Sequence, residues 1–71
     1  MQKYTKQYLY SELKTIIDNR KVWEYERLQN AIAGLFYVYL NVDEISEVEI
    51  FQFKHKLDFV IADIDKIHLG F

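Results

Sequence analysis

Apolar positions recur along most of this chain in alternating steps of three and four, the spacing of one helix face rather than of a strand. The longest series is Ile50, Phe53, Leu57, Val60, Ile64, Ile67 and Phe71. A second runs Tyr25, Leu28, Ile32, Leu35, Tyr39 and Val42, and a shorter third runs Lys6, Leu9, Leu13 and Ile16 or Ile17. The second series passes through "GLFYVYL", residues 34 to 40. Phe, Tyr and Val favour the pleated surface of a strand, but a strand would make the three-and-four register a coincidence. The stretch therefore reads as the latter half of a helix.

End signals sharpen the boundaries. Ser46-Glu47-Val48-Glu49 has the Ser-x-x-Glu spacing of a capping box, with Ile45 and Ile50 at the positions of a hydrophobic staple. Gly70 is placed to stop the same helix, and Lys66 and His68 occupy its last turn, where cations suit the helix dipole. Asp18-Asn19 marks a turn, because Asn tolerates the left-handed conformation that ends helices. The phase agrees: Leu9, Leu13 and Ile16 continue to 20 and 23, whereas the next series is set on Tyr25. Neither proline nor a linker interrupts the chain. The expectation is one small all-α domain over 1–71, a three-helix bundle with helices at about 5–17, 20–42 and 46–69. Helices 2 and 3 are expected to clasp as a long antiparallel, heptad-like hairpin.

A three-helix domain needs one buried stripe per helix, and two of these helices carry more. The third leaves Val48, Phe51, Phe59, Ala62 and Leu69 off its seam. On the second, Phe36 and Val38 flank the seam as further core, whereas Tyr37 and Leu40 sit away from it, beside the small residues Ala33 and Gly34. A glycine inside a helix costs about 1 kcal/mol relative to alanine, so close approach by another backbone would give Gly34 a purpose. Burial of both faces inside one compact triangle is the competing account. We expect instead an intermolecular surface of Phe51, Phe59, Tyr37, Leu40, Ala33, Gly34 and Leu69, used for a homodimer.

Length points the same way. A chain of 71 residues buries only about 60–65% of its unfolded surface, so a lone core is marginal. Cysteine is absent, which removes disulfides and thiolate metal sites. Oligomerisation is the remaining way to gain stability, and a 51% apolar, 17% aromatic composition supplies the material.

Charge is uneven. Residues 1–27 hold six Lys/Arg against four Asp/Glu, and residues 28–71 hold three against seven. The acidic residues Asp43, Glu44, Glu47, Asp58 and Asp65 are expected to offer a surface to a basic protein partner. The N-terminal segment interleaves cations and rings: Lys3, Tyr4, Lys6 and Tyr8, with Arg20 and Lys21 further on. Such a set could stack bases and meet phosphates, which makes a nucleic-acid accessory or transcription-regulatory role the alternative. Packing of Tyr4 and Tyr8 on the bundle accounts for it more simply. A recognition helix opening with Glu47 and Glu49 would repel phosphate.

Catalytic constellations are missing. Ser11 and Ser46 have no histidine nearby in sequence, no glycine-rich loop is present to cradle phosphate, and His55 and His68 lack partners at ligand spacing. No enzyme activity, cofactor, metal or small-molecule substrate is expected. The first residues have no apolar signal-peptide core, and the longest apolar run, Ala31 to Leu40, is too short for a membrane span. A cytoplasmic protein is expected. Its bias towards residues with AT-rich codons suggests a low-GC bacterium, phage or plasmid. The function read from the sequence is that of a small helical interaction module that self-associates and regulates, or inhibits, another protein.

Overall fold

The computed structural model describes residues 3–70. They form three helices: α1 (Lys6–Asp18), α2 (Tyr25–Leu40) and α3 (Glu47–Leu69). Residues 34 to 40 are helical, as their register requires. The only extended pairing among the described residues is an isolated parallel bridge between Tyr4 and Val42. There the Tyr4 amide donates to the Asn41 carbonyl and the Asp43 amide donates to the Tyr4 carbonyl, both at 3.0 Å. This strap fastens the residues ahead of α1 to the α2–α3 connection. It also removes Val42 from the helix that was expected to reach it.

The helix ends follow from local chemistry. Thr5 opens α1 by accepting the Tyr8 amide on its hydroxyl at 3.1 Å. Asn19 closes α1, but not in the left-handed conformation expected of it: its φ is −107°. Its side-chain amide donates instead to the Thr15 carbonyl at 2.8 Å, and its own carbonyl accepts the Val22 and Trp23 amides. That turn occupies residues 19–24, so α2 begins at Tyr25 rather than near 20. At α3 the full capping box forms, with the Glu49 amide donating to Ser46 Oγ at 3.2 Å and the Glu49 carboxylate accepting from the Ser46 amide. Gly70 ends α3 at φ 79°, the left-handed cap that glycine adopts without strain. Glu44, at φ 56°, holds the same region without that freedom.

Each helix contributes one stripe to a single core. Leu9, Leu13 and Ile16 come from α1; Leu28, Ile32, Leu35 and Val38 from α2; Phe53, Leu57, Val60 and Ile64 from α3. The register differs from a strict heptad at its ends. On α2, Val38 replaces Tyr39 at the centre, and Tyr39 stacks on Phe53 from the edge with ring centroids 5.5 Å apart. On α3, Ile67 is 37% exposed, so the stripe ends at Ile64. Phe71, its expected last member, lies outside the described residues.

α2 packs on both of the other helices: Ala31 and Gly34 line a groove between α1 and α2, and Tyr39 stacks on Phe53 between α2 and α3. Polar contacts tie the ends. The Tyr25 hydroxyl donates to Asp65 at 2.8 Å, and the Tyr25 ring lies 5.9 Å from that of His68. Arg20, in the first turn, donates to Asp63 at 2.9 Å, and its carbonyl accepts from His68 Nε2 at 2.8 Å. At the other end of α3, Lys6 reaches Glu49 at 3.1 Å.

Phe53 is fully buried and meets both Tyr10 and Tyr39. Phe53→Ala should cost about 3–5 kcal/mol, a large share of the roughly 4–10 kcal/mol available to a chain of this length. Ser46→Ala should cost about 0.5–2 kcal/mol through loss of the cap alone. Urea titration followed by circular dichroism would show Phe53→Ala largely unfolded and Ser46→Ala merely shifted.

Candidate protein-interaction surface

The outward side of α3 carries a predominantly apolar stripe, interrupted by Lys66 near its end. At 3.6 residues per turn, Val48, Phe51, His55, Phe59, Ala62 and Leu69 fall within a sector of roughly 80°, almost diametrically opposite the core stripe. All six are exposed. Phe51 is 72% exposed, Phe59 67% and Val48 66%, values that leave two of the three Phe rings of the helix in water. The rings form a ridge: His55 lies parallel to Phe51 at 6.3 Å between centroids and edge-on to Phe59 at 5.1 Å. Spacing of i, i+4 and i+8 puts the three in line. Burial of this surplus inside one protomer is thereby overturned.

Phe51, Phe59 and Leu69 were legible as off-seam residues. His55 drew notice only for its lack of partners at ligand spacing, and the structure makes it the middle of the ridge. The missed signal was a seven-residue repeat, Val48–His55–Ala62–Leu69, hidden by the stronger core series.

A second exposed set lies on α2. Leu40 is 76% and Tyr37 58% exposed, with Ala33 beside them. Tyr37 is also engaged within the protomer, meeting the edge of Tyr4 at 6.2 Å. Phe36, read as flanking core, is 39% exposed. A Cβ built on Gly34 would meet nothing within 4 Å, so no contact inside the protomer demands glycine there.

The expected acidic surface divides. Asp65 is occupied by the Tyr25 hydroxyl, a bond that also raises the Tyr25 pKa. Asp43 faces Lys3 at 3.9 Å. Glu44 and Glu47 sit with Asp43 at the α2–α3 connection, whereas Asp65 is 18 residues beyond Glu47 on one helix, about 27 Å away at 1.5 Å per residue. The five carboxylates therefore do not form one patch.

The N-terminal cations are similarly committed. Lys3 faces Asp43, Lys6 pairs with Glu49, and Arg20 with Asp63. Tyr4 is half-buried and stacked on Tyr8 at 5.3 Å, and the neighbouring Glu12 carboxylate raises the Tyr8 pKa. Lys21 is exposed, but Arg20 and Lys21 lie at the opposite end of α1 from Lys3 and Lys6.

No protein-family model matches this chain, and no curated protein or solved structure shows significant similarity to it. Among the described residues, no helix is long and apolar enough to cross a membrane.

Two measurements follow from these contacts. Gly34→Ala should raise the stability of the isolated protomer by about 0.5–1 kcal/mol, because an exposed helical glycine with free space at Cβ gains propensity and loses nothing. Chemical denaturation at low protein concentration would read it. The hydrogen bond from Lys6, then that from Ser46, lowers the Glu49 pKa. A depressed carboxyl stabilises the fold above the unfolded glutamate value of ~4.3, and that contribution is lost as pH falls through and below it. Melting temperatures from pH 7 to pH 3 should therefore decline less in Glu49→Gln than in the unmodified chain.

Proposed function

We propose that this chain is a non-catalytic helical interaction module, cytoplasmic, that self-associates and binds a second protein whose activity it regulates or inhibits. In this reading α2 and α3 act as an antiparallel hairpin whose outer side is the working surface. The carrying observation is the α3 face itself. Phe51 and Phe59 stand at 72% and 67% exposure in line with Val48, His55 and Leu69, opposite a core stripe that is already filled. Exposed apolar area favours association at roughly 25 cal/mol per Å² covered, and a contiguous stripe of rings on a monomer of this size would otherwise be a liability.

The acidic end formed by Asp43, Glu44 and Glu47 would select a basic surface on the regulated protein and leave the apolar face for the copy-to-copy contact. The alternative is nucleic-acid binding through Lys3, Tyr4, Lys6, Tyr8, Arg20 and Lys21; against it, Lys3, Lys6 and Arg20 already face carboxylates, which leaves Lys21 as the one cation of the set in no ion pair among the described residues. Counterion release requires cations free to meet phosphate.

Light scattering at tens of micromolar should give about twice the 8.6 kDa chain mass. Phe51→Ser with Phe59→Ser should return it to the monomer with its helical circular dichroism intact, because neither ring is in the core. An unmodified chain that stays monomeric into the high micromolar range would overturn self-association.

A further inference from the structure

We propose that the groove between α1 and α3 is a docking site for an acidic amphipathic helix of another protein, one carboxylate of which meets Lys56 and Lys14. This goes beyond the self-association reading and does not depend on it.

Two ion pairs mark the ends of the groove. Lys6 donates to Glu49 and Arg20 to Asp63, and in both pairs the partners are 43 residues apart. α1 and α3 therefore run parallel, and the same offset sets Leu13 opposite Lys56. Glu49, Lys56 and Asp63 recur every seven residues on the α3 edge that meets α1. The outer two each find a cation. The middle one finds Leu13, which is buried, so Lys56 is exposed and makes no ion pair among the described residues. Three recesses join along this line. Tyr10 and Lys14 line both the first and the second, and Ile17 and Lys56 line both the second and the third.

The charges of the groove do not cancel. Its lining holds the cations Lys6, Lys14, Arg20 and Lys56 and the carboxylates Glu49 and Asp63. Both carboxylates are already bonded to cations of the same set. Lys14 reaches Asp18, outside the groove, in an exposed pair of the kind that contributes little. The lining thus sums to +2, or +1 with Asp18 counted, on a chain of net charge −2. A negative group from outside completes it.

Apolar groups flank the free cation, Tyr10 towards one end and Val60 towards the other, with Phe59 at the border of the outer face. The fitting occupant has a carboxylate with an apolar side chain about one turn to either side, the i, i+3 or i+4, i+7 spacing of a helix laid in a groove. Two parallel helices accept such a ridge between them. From Glu49 to Asp63 the groove runs about 21 Å, four turns of the occupant. A nucleic-acid strand fits worse, because its phosphates would pass the two lining carboxylates.

A capped, alanine-based helical peptide of about 15 residues, with leucine, glutamate and leucine at successive turns of one face, is the probe. Titrated into the isotope-labelled chain, it should shift the amide resonances of Leu13, Lys14, Ile17 and Lys56. Its glutamine counterpart should bind about three- to fivefold more weakly. Lys56→Glu, at an exposed position, should keep its helical circular dichroism and prefer a lysine counterpart to the glutamate peptide. Absence of shifts at millimolar peptide, equal affinity for the glutamate and glutamine peptides, or shifts centred on Phe51 would overturn the proposal. Displacement of the peptide by an oligothymidylate would give the groove to nucleic acid, and loss of a dimer in Lys56→Glu would give it to a second copy; either overturns it. A chain that stays monomeric leaves it standing.

Discussion

Three short helices must share one core, and each can give it only a narrow stripe. That constraint governs this protein. Among the described residues, eleven side chains, three or four per helix, make up the buried set. Phe53 is the largest of them and sits where all three helices meet, with Tyr10 of α1 on one side and Tyr39 of α2 on another. Phe53 thereby joins the three helices at one point of the core.

So small a core leaves the helix ends to be held by polar contacts. Lys6–Glu49 ties the first turns of α1 and α3, and the latter carboxylate also completes the Ser46 cap. At the far end, Arg20 and His68 exchange contacts across the α1–α2 turn, and Tyr25 bonds Asp65. Isolated exposed ion pairs contribute little. Here they act on geometry, because each joins elements distant in sequence and fixes which faces remain outside. These contacts occupy Lys6 and Arg20, two of the cations that the sequence offered to phosphate, and Asp65, one of the carboxylates it offered to a basic partner.

The parts legible from sequence were those encoded locally. The Ser46–Glu49 box, the Gly70 stop, the core series of α3 and the helical nature of residues 34 to 40 all rest on residues within a few turns of one another. Errors arose where tertiary context intervened. Val38 rather than Tyr39 is buried because it lies on the side of α2 that meets α1, which a single seam read for pairing with α3 does not register. The Tyr4–Val42 strap joins single residues 38 apart and carries no periodic signal. The Asn19 turn consumed residues 20–24 through backbone bonds to one carbonyl, which composition does not disclose. For the candidate surface, off-seam rings were visible as a surplus. Their alignment through His55 was not, because a histidine among apolar residues does not register in a hydrophobic count.

The two sides of α3 differ in one respect that bears on function. The inner side fills the core with Phe53, Leu57, Val60 and Ile64. The outer side leaves Val48, Phe51 and Phe59 about two-thirds or more exposed, and among the described residues the two Phe rings meet no ring but that of His55 between them. Both sets recur at helical spacing, so one helix carries two apolar faces and the bundle occupies only one of them.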